Sequence, residues 1–337
     1  MKRVLVLLLV FGCGKSAPLD HAFESAAAVP NIRSLRIEQH GALLREQYWG
    51  GTDGDTPHDV RSVTKSVVSL LAGIADRDGC LPLDASLGAT LGTEAPADAA
   101  KAAITVRELL TMSGGFQWDE LGNIDEYNNW VSSPDPVRYV LARPLADPPG
   151  TYFSYDSAGY ELIAVALSNA CGNAADFAQA KLFGPLGIAW PQWEAFDTPP
   201  GVNGGAGVQL STRELSTVGE LVLHGGLNIL ASGARGGQVV PADYLAAATS
   251  VQIANGEATD FGPGYGYGFW IGPGYVMAQG YGGQFIVIDP QHDAVVAATS
   301  DWQGHAATAD QTFAQLLAVI TTQVLPALTG ATSLGGR

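Results

Sequence analysis

Lysine is scarce in this chain, with five among 337 residues: Lys2, Lys15, Lys65, Lys101 and Lys181. Lysine and arginine together number 17 against 33 acidic residues, a formal net charge of −16. So acidic a balance argues against nucleic acid or an anionic membrane surface as partner, since both need basic patches. Cysteine is limited to Cys13, Cys80 and Cys171, and the six histidines stand at no ligand-like spacing from one another or from a cysteine. A metal centre is therefore not expected, and no motif asks for another cofactor. No Gly-x-Ser-x-Gly occurs, which leaves an α/β-hydrolase with a Ser-His-Asp triad without support. Repeats are missing too.

With 47% hydrophobic and 15% charged residues, the chain suits a well-buried globular protein. Met1-Lys2-Arg3 and the apolar run Val4 to Phe11 form a charged n-region and a short h-region, too short to span a bilayer as a mature helix. Residues 1–13 read as an export signal whose end, Leu9-Val-Phe-Gly-Cys13, resembles a bacterial lipoprotein box with Cys13 as the residue to be acylated. On that reading the only membrane contact is the lipid anchor, and the protein belongs to the periplasm or cell envelope. Cys80 and Cys171 are expected as two separate buried thiols, with a bridge as the alternative.

Strand-like stretches lie at both ends of the chain. Ile32 to Gln39 and Ala42 to Trp49 alternate about a His40-Gly41 turn; Tyr265 to Ile271, Tyr275 to Gln279, Phe285 to Ile288 and Ala294 to Ser300 follow near the C-terminus. Between them the apolar spacing is mostly helical. The expected class is α/β in the α+β sense: one antiparallel sheet built from residues 20–60 and 251–330, a mainly helical domain over 61–250, and a cleft between the two.

The chemistry centres on Ser62-Val-Thr-Lys65, at the head of an apolar run. In a helix, positions i and i+3 share a face, so the Ser62 hydroxyl and the Lys65 amine meet at the first turn. A serine is a poor nucleophile until a neighbour takes its proton, and a lysine can do so if burial disfavours its ammonium form. The tetrapeptide alone is weak, because most copies are solvated helix surface. Here Lys65 is the lone charge inside an apolar helix, and such a lysine needs a task or a partner.

Several stretches carry a family resemblance: Arg61-Ser-Val-Thr-Lys-Ser-Val-Val-Ser69, Ile104-Thr-Val-Arg-Glu-Leu-Leu-Thr-Met-Ser-Gly-Gly115, Pro148-Pro-Gly-Thr-Tyr-Phe-Ser-Tyr-Asp-Ser157, Tyr265-Gly-Tyr-Gly-Phe-Trp270 and Gly280-Tyr-Gly-Gly-Gln284. The chain resembles the serine hydrolases of the class C β-lactamase superfamily, with its penicillin-binding-protein-like esterases, D,D-peptidases and 6-aminohexanoate-dimer hydrolases. That resemblance implies the β-lactamase/penicillin-binding-protein-like fold, Ser62 as the acylated nucleophile, Lys65 as its base and Tyr155 as a proton relay, its phenol pKa lowered by the ammonium. It implies an oxyanion hole from the backbone N–H groups of Ser62 and Tyr281, and Gly280 and Ser157 beside the substrate. The lysine of the family's Lys-Thr-Gly element is missing, with Ala278-Gln279-Gly280 in its place, so an ester or linear amide is expected as small-molecule substrate rather than a β-lactam. Tyr127 and Trp130 would line the cleft from the loop Trp118 to Trp130, where Asp119, Glu120, Asp125 and Glu126 give a negative rim. The rival readings are a β-lactamase or D,D-peptidase, and a non-catalytic binding lipoprotein that keeps the cleft without turnover.

Overall fold

The computed structural model describes residues 17–229, 235–256 and 261–328. The leader with Cys13 and the tail Ser333 to Arg337 lie outside the described residues.

Both ends of the chain meet in one eight-stranded sheet. Its order from edge to edge is Ala42–Tyr48, Ile32–Gln39, Ala294–Ser300, Gln284–Asp289, Val276–Gly280, Trp270–Ile271, Gly264–Tyr265 and Ile253–Ala254. All neighbours are antiparallel. Gln284–Asp289 and Ala294–Ser300 are buried throughout, because helices cover both faces there. On one face Gly219, in the helix Thr212–Leu223, has no Cβ to collide with Val295 and Ile286, so helix and sheet approach closely. On the other, the Phe313 ring of the helix Ala306–Val319 lies 5.1 Å from that of Phe285. Continuous apolar runs such as Phe285 to Ile288 are what burial on two faces requires.

Tyr265 to Ile271 alternates like one strand, yet it folds as two short strands around a turn. Gly268 adopts φ +77°, and a Cβ there would stand 2.7 Å from Ser69 Cβ and 3.0 Å from the Lys65 carbonyl. Glycine removes both obstacles. The turn then grips the helix Val63–Asp78: Ser66 Oγ donates to the Gly268 carbonyl at 2.6 Å and Ser69 Oγ to that of Tyr267 at 2.5 Å. Those two serines satisfy backbone groups that would otherwise be buried unpaired.

Val63–Asp78 is buried from Val63 to Ala75 and ends at Gly79 in the left-handed region, φ +76°. It packs beside the helix Ser157–Cys171, whose N-cap is Asp156. The expected separate thiols are instead a disulfide: Cys80 and Cys171 follow or close the C-terminal ends of these two helices, with Cα atoms 5.3 Å apart. Parallel packing of two helices of nearly equal length brings their ends together, a relation that spacing of 91 residues in the chain does not reveal.

Candidate active site

Ser62 is the N-cap of its helix and makes no side-chain cap bond, so its half-buried hydroxyl is left for other partners. Lys65, one turn on, is 1% exposed. Its Nζ donates to Ser62 Oγ at 2.8 Å and to the Gly205 carbonyl at 2.7 Å. It also stands 5.0 Å over the ring of Tyr155. Burial lowers the Lys65 pKa to about 8, helped by the nearby Arg61 charge and opposed by Glu120 and Asp156. A large fraction of the amine is therefore free base in mildly alkaline solution.

The Gly205 carbonyl is aimed by its loop. Asn203 Oδ1 accepts from the N–H groups of Gly205 and Ala206 at 2.9 and 3.1 Å, and Gly204 N–H donates to Glu161 Oε2 at 2.7 Å. A Cβ on Gly204 would stand 2.2 Å from the Tyr160 carbonyl, so only glycine lets the loop lie this close to the Tyr155 side of the site. Asn203-Gly-Gly205 is the sequence signal for this loop, a capping amide followed by two glycines.

Tyr155 lies against this pair with its ring stacked on Trp270, centroids 5.7 Å apart and planes 18° from parallel. Its phenol is buried, which pushes its pKa well above the ordinary value, while a hydrogen bond with Ser62 pulls the other way. This reverses the expected lowering: desolvation of the phenolate, reinforced by nearby Tyr265 and Glu120, outweighs the hydrogen bond with Ser62. Tyr155 is a neutral hydroxyl at every physiological pH. Trp270, which fixes its ring, was not singled out from the sequence.

Other expected contacts are placed differently. Ser157 is fully buried and its hydroxyl is committed to Glu120, donating to Oε1 at 2.6 Å while its N–H donates to Oε2 at 2.9 Å. Trp118 Nε1 adds a third bond to Glu120 at 3.1 Å. Trp130 is 0% exposed and packs edge-on to Trp118, Tyr127 and Phe196, so it is core and not a wall of the cleft. Its segment forms a helix, Ile124–Val131, where a loop was expected; Asn123 caps it through Asp125 N–H. Tyr127 is 7% exposed, and burial raises its phenol pKa to about 12. Of the acids of this segment, Glu126 is paired with Arg143 and also accepts from the Tyr139 hydroxyl at 3.2 Å.

Gly280 does not open space for substrate. A Cβ there would lie 2.3 Å from the Val60 carbonyl and 3.2 Å from Arg61 Cβ, so glycine is required for the strand end to seat against the residues preceding Ser62. That contact brings Tyr281, the next residue, up to the Val60–Arg61 turn that leads into Ser62, and among the described residues neither Ser62 N–H nor Tyr281 N–H donates to a protein acceptor. Ala278 is 1% exposed and brings no charge. Among the described residues no group of His, Cys, Asp and Glu could hold a metal ion.

Across residues 34–319 the chain matches the family model described as Beta-lactamase. Among solved structures, 92% of it aligns with 99% of a proposed beta-lactamase from Bacteroides dorei at TM-score 0.72 and 19% identity. Likewise, 94% aligns with 83% of a proposed 6-aminohexanoate-dimer hydrolase from Bacillus anthracis at TM-score 0.72 and 17% identity. EstCE1, described as a hydrolase with promiscuous acyltransferase activity, matches over 89% of this chain and 98% of its own at TM-score 0.68 and 17% identity. No curated protein matches. Identities this low carry the fold alone, but the family model spans most of the chain, and the protein belongs to the Beta-lactamase family, with that family's arrangement of helices about an antiparallel sheet.

Proposed function

We propose that the protein is a serine hydrolase that cleaves esters or linear amides through an acyl-enzyme on Ser62. The observation that carries this reading is the 2.8 Å contact between Ser62 Oγ and a fully buried Lys65. As free base, Lys65 accepts the Ser62 proton while its own N–H stays on the Gly205 carbonyl. The oxygen attacks the substrate carbonyl, a C–O bond forms, and the carbonyl electron pair moves to oxygen, facing the N–H groups of Ser62 and Tyr281. Tyr155, held neutral by burial, gives its proton to the leaving oxygen or nitrogen as the C–O or C–N bond breaks, and regains one from the Lys65 ammonium. Water then repeats the sequence on the acyl group and frees Ser62.

A β-lactamase or D,D-peptidase is the second reading, supported by the family itself. Against it stands the uncharged Ala278, which leaves the carboxylate of a β-lactam without a cation on that strand. The export signal and Gly12-Cys13 support a lipid-anchored protein of the cell envelope.

Hydrolysis of a short-chain p-nitrophenyl ester by wild type and Ser62→Ala, with a chromogenic cephalosporin in parallel, tests the proposal. Ester turnover lost in the variant, with little cephalosporin cleavage, is expected. Strong Ser62-dependent cephalosporin turnover would establish the second reading, and no Ser62-dependent reaction with any substrate would leave a binding protein.

A further inference from the structure

Arg61, the residue before the nucleophile, has φ +48°, in the left-handed region that glycine or asparagine enters more cheaply. A bulky side chain kept in such a conformation invites a functional account. Its N–H donates to Asp59 Oδ1 at 2.9 Å, which pins the turn, whereas the guanidinium reaches Asp59 only at 3.4 Å and its Nε is buried without a partner. Besides that ion pair the guanidinium has two aromatic neighbours: it lies 4.3 Å over Trp302 and 5.3 Å from the ring centre of Tyr127, with the Tyr127 hydroxyl in hydrogen-bonding reach.

The two backbone donors of the proposed oxyanion hole belong to two peptide units, Arg61–Ser62 and Gly280–Tyr281. Arg61 is part of the first and packs against the second, its Cβ only 3.2 Å from where a Cβ on Gly280 would stand. Trp302 closes the assembly by seating on Gly282, where a Cβ would come within 2.5 Å of Trp302 Cβ. One clamped side chain thus joins the strand that presents Tyr281 to the turn that presents Ser62.

We propose that Arg61 is a positioning residue for acylation: clamped between Trp302 and Tyr127, it holds the Ser62 and Tyr281 N–H donors in register and sets a fixed positive charge behind the developing oxyanion. This rests on the serine-hydrolase reading. Donors held at the place where charge develops act on the transition state and not on ground-state binding. The same charge disfavours the Lys65 ammonium, which also faces Glu120, Asp156 and the Tyr155 ring. Around Arg61 itself stand Asp59, Glu194, Tyr127 and Tyr281.

The test compares wild type, Arg61→Gln, Arg61→Lys and Ser62→Ala by p-nitrophenyl ester kinetics against pH, by the rate at which a fluorophosphonate labels Ser62, and by melting temperature. The probe reacts when Ser62 Oγ bonds to phosphorus and fluoride leaves, its P–O oxygen taking the oxyanion position. Arg61→Gln should lower kcat and the labelling rate about 10- to 100-fold, with KM changed less than about threefold, and move the acid limb to higher pH; this is the scale of losing one oxyanion donor or less. Arg61→Lys, which keeps the charge and the aromatic clamp, should recover most of the rate and the wild-type limb. Arg61→Gln within about twofold of wild type, a loss confined to KM, or an unmoved pH limb with Arg61→Lys no better than Arg61→Gln would overturn the proposal. Labelling of Ser62 without ester turnover would count against the hydrolase reading, while the labelling rates would still decide the role of Arg61.

Discussion

Two buried helices run side by side through this protein, and each carries one amine or carboxyl near its start: Lys65 in Val63–Asp78 and Glu161 in Ser157–Cys171. Burial acts on both with the sign each charge dictates, lowering Lys65 to about 8 and raising Glu161 to about 8. Near neutral pH the lysine is largely ammonium and becomes free base as pH rises through about 8, while the carboxyl is largely protonated. Their surroundings then separate them. Lys65 has Ser62, the Gly205 carbonyl and the Tyr155 ring within reach; Glu161 holds Gly204 N–H with one oxygen, and its other oxygen has no partner. A perturbed pKa marks burial, and only the company of a nucleophile turns it into chemistry.

Removing each group sharpens that contrast. Lys65→Met fills nearly the same volume without a base, and ester turnover should fall by about a thousandfold, as expected for loss of a general base, measured as kcat/KM with p-nitrophenyl acetate. Because the variant also relieves a buried cation, its melting temperature should hold or rise. Turnover within tenfold of wild type would remove Lys65 from the base role. At their far ends the helices share the Cys80–Cys171 disulfide, which closes a loop of about 90 residues. Cys80→Ala with Cys171→Ala should cost about 4.6 kcal/mol in chemical denaturation, the loop-closure scale for that length. A loss below about 1 kcal/mol would mean that packing alone holds the helices together.

What could be read from the sequence follows the same division. Ser62 and Lys65 were legible because they are three residues apart on one helix, where spacing fixes geometry. Ile32 to Gln39 and Ala294 to Ser300 were legible as strands to the residue, since one alternates and the other is a short run of small and β-branched residues, Ala-Val-Val-Ala-Ala-Thr-Ser. Glu161, Trp270 and the Gly205 loop were not, because their meaning lies in contacts between segments 40 to 140 residues apart. The direction of the Tyr155 shift was misjudged for a related reason: its neighbour was visible in the motif, but the depth of its burial against Trp270 was not. Trp130 and Ser157 read as cleft residues from their motifs, yet the fold spends one on the core and the other on Glu120.

The pH dependence of the reaction tests the Lys65 half of the comparison. If the free base is the acting form, kcat/KM for the ester should climb about tenfold per pH unit below the Lys65 pKa, bend near pH 8 and level above it. An acid limb bending near 5 would assign the base to a carboxylate. The limb should stay in place in Glu161→Gln, which retains an oxygen for Gly204 N–H.

Glu161 itself should be felt in stability, with an effect of a few degrees. Its carboxyl titrates near 4.5 when unfolded and near 8 when folded, so the folded state holds a proton that the unfolded chain releases. The stability this contributes is fully present below about pH 4.5 and is lost as pH rises through about 8. Glu161→Gln cannot titrate, so wild type should lose melting temperature relative to the variant between pH 5 and 8. Asp156 and Glu220, both raised to about 7 by burial, titrate in that window in both proteins and cancel in the difference. A difference that stays flat from pH 5 to 8 would show that Glu161 is ionised in the folded protein. Its bare oxygen would then need a partner, and the contrast with Lys65 would have to be redrawn as two charged groups, each compensated in its own way.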